Sequence, residues 1–495
     1  MRSHATATAR VLALLPAVLL GACALGPDFV RPLPPDADRY LREPLVAATV
    51  PADGLAQHFL PGAALPADWW RLFKSAALDT AVRQALANSP TLQAAEASLR
   101  QSQDNLRAGD GVFYPRIDAG LAGERARSAP LQQGSATPGT VFNLVTASGT
   151  ISYPLDVFGG ERRTVEGLGA QVDQQRQAGK AAYLTLSANV VNTCIARAAY
   201  AAQVRATVQL IALENEQLRG IEAQVRAGTA PYANLLSQRA LIAASQALLA
   251  PLRQKISQAD HLLALLQGST PSQAVLPDIE LQDLALPADL PVSLPSQLVR
   301  QRPDILLAEA QLHAASAAIG VATAAMFPSF GLSATYGAAG TSLGNLLGAG
   351  SRFWSIGPSL TAPLFRGGSL WYGRQAAIDA YQQQLASYRQ VVLAAFAQVA
   401  DTLKALEHDA QALQAQHDAQ AAAAGALALL QANYGAGLVA YVDVMTADVQ
   451  LHTASIAYLQ AVAQRQQDTV ALFVALGGGW WNAAADATAQ QGRQP

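Results

Sequence analysis

From Gly160 to Arg226 the chain contains no proline, and Gly167, Gly169, Gly179 and Gly220 are the only glycines after the first residue. Apolar side chains recur at Val204, Val208, Ile211, Leu218, Ile221 and Val225. Steps of three, four and seven average about 3.5 residues, the period of a helix that supercoils against neighbours. About 66 helical residues at 1.5 Å each rise roughly 100 Å, far more than a globular domain needs. The stretch has a twin. Between Arg374 and Tyr434, apolar residues fall at Ile378, Tyr381, Leu385, Tyr388, Val392, Phe396, Val399, Leu403, Leu406 and Leu413. Any fold for this chain must house two very long coiled-coil helices.

The N-terminus reads as a targeting segment. Arg2 and Arg10 precede the apolar run Val11–Leu20, which is too short for a permanent membrane span. It ends in Leu20-Gly21-Ala22-Cys23, which resembles a bacterial lipobox. Residues 1–22 are therefore the expected signal peptide and Cys23 the expected lipidation site, with Ala24 behind it favouring the outer membrane. The other cysteine, Cys194, lies in the first long helix and reads as a small buried side chain.

Residues 23–66 are proline-rich and read as an extended tether. Trp69-Trp70 then introduces a helix from about Ala76 to Gly109, with a kink expected at Asn88-Ser89-Pro90. Two period-two segments follow, about 113–128 and 141–155. The second places Val141, Asn143, Val145, Ala147, Gly149, Ile151 and Tyr153 on one face. They form a hairpin of strands of roughly ten residues, the length a tilted membrane strand needs. After the long helix, Gly228 and Pro231 mark a turn into a helix reaching about Gln267, and a proline-rich linker covers 271–295.

The plan then repeats. Pro90, Glu96 and Pro115 recur 213 residues later at Pro303, Glu309 and Pro328. Pro154, Gly228, Tyr232 and Gly268 recur 209 residues later at Pro363, Gly437, Tyr441 and Gly477. The four-residue difference falls inside the hairpin. The first repeat thus covers 67–270 and the second 296–479, with strands at about 328–340 and 352–363, and 480–495 is a flexible tail. In each repeat the two flanking helices are long enough to stack end to end beside the long one.

The hairpin regions 113–158 and 327–372 hold 13 of the 31 aromatic residues. That clustering fits a membrane-interface girdle, against the alternative of a soluble sheet's core. No run of 18 apolar residues follows the signal, so no transmembrane helix is expected. A chain that spans must then do so as a barrel. Four strands cannot close one, since single-chain membrane barrels begin at about eight strands. A dimer supplies eight and a trimer twelve, leaving the long helices to build a helical tube.

Charged residues make up 14% of the chain and the net charge is −2, so there is no basic footprint for nucleic acid. The seven histidines show no ligand spacing, and neither a nucleophile elbow nor a phosphate loop is present. No catalytic residue, metal site or cofactor is expected. The rival to a conduit is a periplasmic coiled-coil adaptor or structural lipoprotein, which would lack paired, duplicated strand hairpins.

The lipobox, Trp69-Trp70, Phe113-Tyr114-Pro115, Phe327-Pro328, the run from Pro154 to Gly160, the run from Ala362 to Gly368 and the run from Ala475 to Trp480 occur in an order that resembles the TolC-type outer-membrane efflux channel family. The resemblance covers nearly the whole chain and points to the NodT-type lipoprotein branch. It implies an α+β, mainly α protomer, internally duplicated, whose two hairpins give four strands to a trimeric 12-stranded transmembrane β-barrel above a coiled-coil periplasmic α-barrel. The implied partners are two further copies of the chain, outer-membrane lipid, a periplasmic adaptor and an inner-membrane pump of the resistance-nodulation-division class. The implied role is a passive conduit for small molecules. Under the resemblance, the turns at Gly228, Thr229, Ala230, Pro231 and at Gly437, Leu438, Val439, Ala440 meet the adaptor. They are also ordinary helix–helix turns. The family's aperture aspartate falls on Thr446, a departure, so the aperture candidates are Val442, Asp443, Thr446 and Asp448. A solvated helix face explains Asp443 equally well.

Overall fold

The structure is a computed structural model that describes residues 24–127, 139–348 and 350–482. The expected signal peptide, Cys23 and most of the expected tail lie outside the described residues. The order of elements is β1 (His58–Pro61), α1 (Ala76–Asn88), α2 (Pro90–Asp110), β2 (Arg116–Arg127), β3 (Val141–Leu155), α3 (Gly160–Arg226), α4 (Tyr232–Leu266), β4 (Asp289–Val292), α5 (Pro295–Gln301), α6 (Pro303–Ala324), β5 (Ser329–Gly340), β6 (Arg352–Thr361), α7 (Ser369–Gly435) and α8 (Tyr441–Ala475). The chain divides into two compact units, one of residues 1–32, 98–175 and 308–388, the other of 33–97, 176–307 and 389–495.

The first unit is built on a four-stranded antiparallel sheet of order β2-β3-β5-β6. Ile117 pairs with Ile151, Ile151 with Ala334 and Ala334 with Ile356, so one residue row crosses all four strands. The descent from β3 into α3 is fixed by Asp156. Its carboxylate accepts the backbone N–H groups of Glu161 at 3.1 Å and Arg162 at 3.0 Å and the Arg162 side chain at 3.1 Å. A negative charge at a helix start satisfies donors the helix itself cannot. Phe158 then packs on Phe327 with ring centroids 4.9 Å apart, joining the bases of the two hairpins.

The second unit holds the larger apolar core. A short turn of helix at Trp69–Phe73 buries Trp69, Trp70 and Phe73 completely. Trp69 meets Phe473 of α8 at 5.7 Å, and Trp70 donates its indole N–H to Asp79 at 3.0 Å. In both repeats the flanking helices meet end to end. A side chain on Gly268, after α4, would come within 2.4 Å of the Asn88 carbonyl at the end of α1. Its duplicate Gly477, after α8, lies against Arg302 at the end of α5. Both glycines have positive φ, +68° and +93°, a turn that side chains disfavour, and at Gly268 a Cβ has no room besides.

Three expectations need correction. The expected tether, 23–66, is tied to the body within its described residues. β1 pairs in parallel with β4, and fully buried Gln57 donates to the Pro287 carbonyl and to Thr469 while accepting from Arg465. The linker 271–295 is likewise tied in, because β4 lies within it. The tail begins later than 480, since Trp480 donates its N–H to the Gln301 carbonyl at 2.8 Å and its ring carries the Lys180 ammonium 3.2 Å away. Further, α4 and α6 are long and apolar enough to cross a membrane by composition, with mean hydropathies of 1.2 and 1.4. Alanine raises both values without making a run of large apolar residues.

Candidate functional site: sheet faces and helix turns

Alternation along the strands divides the sheet into two chemically distinct faces. One carries Ile117, Leu121, Val145, Ile151, Leu155, Phe330, Leu332, Tyr336, Trp354, Ile356 and Leu360 in register across the four strands. Most of these large side chains are exposed, Ile117 at 76% and Trp354 at 73%. The opposite face carries Asp118, Glu124, Thr146, Ser148, Thr150, Ser152, Ser333, Thr335 and Ser355. Thr150 and Thr335 bring their hydroxyls within 3.4 Å there. A contiguous apolar face of this extent is not left to water. The apolar-out, polar-in alternation is that of a membrane barrel wall.

The two helix turns repeat one design in the second unit. Gly228 and Gly437 have φ of +73° and +75°. Thr229 N–H reaches back to Gln224 O at 2.9 Å, and Leu438 N–H to Asn433 O at 2.9 Å. Both are the six-residue closure in which a left-handed glycine ends the helix. Gly228, Thr229, Pro231, Gly437, Leu438 and Ala440 are exposed, whereas Ala230 and Val439 are half-buried. Below the turns, Ile221, Leu235, Leu427, Tyr441, Val444 and Ala447 form a common core that packs the two helical hairpins together. The tyrosine that follows each turn is kept in sequence but not in burial. Tyr232 is exposed, whereas Tyr441 is buried and shares its hydroxyl with Gln238.

The four aperture candidates do not come together. Val442 and Thr446 are exposed on one stripe of α8, and the Thr446 hydroxyl turns back to the Val442 carbonyl at 2.8 Å. Val449 and Thr453 continue the stripe with the same backward bond, also 2.8 Å. Asp443 is exposed but caps its own helix, accepting the Ala440 N–H at 3.0 Å. Asp448 departs from expectation. It is 1% exposed, and among the described residues neither carboxylate oxygen has a hydrogen-bond partner. Burial, and then the like charge of Glu214, push its pKa up to about 6. Glu214 is itself buried on α3, where it accepts the Ser245 hydroxyl at 2.7 Å. Asp448 therefore belongs to the interface between helices within the protomer rather than to a solvent-facing ring. Five positions turn a helix by about 140°, so Asp443 and Asp448 lie on different faces of α8, and the apolar side that packs on α3 decides which of them is buried.

An exposed apolar sheet face carried with very long paired helices defines the subunit of a membrane conduit whose wall is a β-barrel. A model of the outer membrane efflux protein family matches residues 81–269 and 294–478, and the chain belongs to that family. It is 30% identical to outer membrane protein OprJ of Pseudomonas aeruginosa, across 95% of this chain and 96% of OprJ. Against the cation efflux system protein CusC of Escherichia coli strain K12 the identity is 28%, across 95% of this chain and 99% of CusC. The solved structure of the outer-membrane channel OprN superposes with a TM-score of 0.82 at 25% identity, covering 92% of this chain and all of OprN. The protein is thus an efflux protein of the outer membrane, with a mainly α, internally duplicated fold.

Proposed function

We propose that three copies of this chain close a 12-stranded barrel in the outer membrane and a helical tube in the periplasm, forming the passive exit duct of a tripartite efflux pump. The observation that carries this is the two-faced sheet with unpaired edges at β2 and β6. Edges cannot persist in lipid, and four strands are too few to close alone. Cys23 carries the lipid anchor. The turns at Gly228–Pro231 and Gly437–Ala440 receive the periplasmic adaptor, and a pump of the resistance-nodulation-division class supplies the energy. The duct's own chemistry names no cargo. CusC is by name part of a cation system, yet here the described residues bring no three His, Cys, Asp or Glu together. The test is planar-bilayer conductance with mass by light scattering on detergent-purified protein. Discrete channels from a trimer support the duct, whereas a monomer without conductance overturns it in favour of a coiled-coil adaptor.

The aperture lies at the uncharged stripe Val442, Thr446, Val449 and Thr453, with Asp443 at its margin. Thr446→Asp is expected to raise cation over anion permeability, read as a shift of reversal potential in a salt gradient. Asp443→Ala leaves it nearly unchanged, because that carboxylate is engaged at its helix start. An unshifted reversal potential in Thr446→Asp would place the constriction elsewhere.

A further inference from the structure

Away from their bases, the two hairpins are almost free of charge. Between Ala119 and Leu155 the charged residues are Glu124, Arg125 and Arg127, and between Phe327 and Phe365 the one charged residue is Arg352. Strand alternation sorts these four by sign. Arg125 and Arg127 share the parity of Ile117 and Leu121 on β2, and Arg352 shares that of Trp354, Ile356 and Leu360 on β6. All three arginines therefore stand on the apolar face, and all three are exposed. Glu124 stands on the opposite face.

The arginines also share one end of the sheet. The helices join it near Arg116, Leu155, Ser329 and Thr361, so the ends near Arg127 and Arg352 are the outer ones. Ile117 to Arg125 and Leu360 to Arg352 are eight residues each, roughly 27 Å of strand and about 20 Å of membrane height at a barrel's tilt. That height is close to the outer border of a barrel's apolar band. Tyr336 and Trp354, paired across β5 and β6 and 60% and 73% exposed, lie just inside Arg352, as an aromatic girdle does. The base of the same face carries Ile117, Leu155, Phe330 and Leu360 instead. The cations thus mark the outer leaflet alone.

Closure of the barrel brings them together. β2 and β6 are the edges of the sheet. Within one copy, three strand spacings of about 4.8 Å separate them, too far for one phosphate to bridge. In a ring of identical copies, β6 of one pairs with β2 of the next, a single spacing away. Like charges gathered at such a seam repel one another, and among the described residues the apolar face of the strands holds no carboxylate to offset them. A phosphate does so, since guanidinium groups bind it through paired N–H donors. Leu121, Trp354 and Ile356 lie directly below, where a free anion gains nothing and an acyl chain gains contact.

We propose that Arg125 and Arg127 of one copy and Arg352 of the next form, at each seam of the barrel, a binding site for a phosphorylated lipid of the outer leaflet. Its phosphates sit among the guanidinium groups and its acyl chains run down the apolar face. This rests on the reading that three copies close the barrel.

The test is native mass spectrometry of the purified full-length protein in detergent, titrated with diphosphoryl lipid A. Wild type is compared with the seam variants Arg352→Gln and Arg125→Gln/Arg127→Gln, and with Arg116→Gln, which lies at the base on the other face. Glutamine keeps these exposed side chains polar, and the oligomer is read in the same spectrum, so a variant that fails to assemble is recognised while the other still decides. The wild-type trimer is expected to take one lipid per seam. Each seam variant is expected to bind about tenfold more weakly or worse, as loss of a charge-assisted pair predicts, and Arg116→Gln as tightly as wild type. Wild-type affinity in both seam variants, or phosphatidylcholine bound as tightly as lipid A, overturns the site. Loss in one seam variant alone overturns a site shared across the seam. Displacement of the lipid by an equal concentration of inorganic phosphate overturns the lipid as occupant in favour of a free anion. A monomer by mass overturns the closed barrel, a failure read apart from any affinity.

Discussion

Ile151→Lys is expected to remove assembled protein from the outer membrane, whereas Thr150→Lys, one residue away, is expected to leave assembly close to wild type. Ile151 sits on the apolar face between Ile117 on β2 and Ala334 on β5. A lysine on a barrel's lipid face costs up to about 2–4 kcal/mol, most at the midplane and less towards the interfaces. In a trimer every copy carries it, giving up to roughly 6–12 kcal/mol per barrel by the same scale. That is comparable to the whole stability of an ordinary domain. Thr150 lies on the other face between Asp118 and Thr335. A lysine there meets water and a carboxylate on the neighbouring strand. The measurement is the heat-resistant oligomer in outer-membrane fractions. Equal behaviour of the two variants would mean that the faces are misassigned, because the alternation leaves no other reason for neighbours to differ.

The long periodic elements were announced by their residues, though the short strands β1 and β4 were not. The long helix Gly160–Arg226 is bounded by Gly160 and by the Gly228 turn, and its twin runs from Ser369 to Gly435, somewhat beyond the expected Arg374 and Tyr434. The break at Ser89-Pro90 and the two hairpins were legible because proline and two-residue alternation are local signals. The irregular segments were not legible. Gln57 is held by Arg465 and Thr469, more than 400 positions away. Arg163 takes its partners from Leu25 to Asp28, some 135 positions before it. Such pairings leave no period, so residues 23–66 read as a tether although Thr49, Ala52, Gln57, Phe59 and Leu65 are buried. The two aspartates after the second turn show the same limit within a single helix. Asp443 and Asp448 are five positions apart, and the sequence places both on α8. Which one faces α3 is settled by the apolar cluster of Ile221, Tyr441, Val444 and Ala447 that docks α8.

Asp448→Asn is expected to stabilise the protein at neutral and alkaline pH and to make no difference in acid. Its surroundings push the native carboxyl up to about 6 from an ordinary value near 3.8. Burial disfavours its charge, Glu214 adds a like charge, and neither oxygen accepts a hydrogen bond among the described residues. Below pH 3.8 the group is protonated in both the folded and the unfolded chain, so it does not bias folding. Between about 4 and 6 the folded chain holds the proton more tightly than the unfolded one, and stability falls as pH rises. Above about 6 the full cost is in place, about 3 kcal/mol for a shift of this size. Asparagine keeps the shape without the charge. It also supplies a donor in a region where Glu214 Oε2 too lacks a partner. Heat-induced loss of helical signal should therefore come at higher temperature for Asp448→Asn than for wild type at pH 8, with the gap closing by pH 4. A variant no more stable than wild type at pH 8 would mean that the carboxylate finds a partner in the assembled protein. At 1% exposure within the protomer the carboxylate is closed to a second copy, so that partner would be a water or a cation enclosed beside Glu214. The same measurement on Glu214→Gln separates the two cases. With the pair unpartnered, removing either charge relieves the other; with an enclosed partner between them, removing either one leaves that partner short of a ligand and lowers stability.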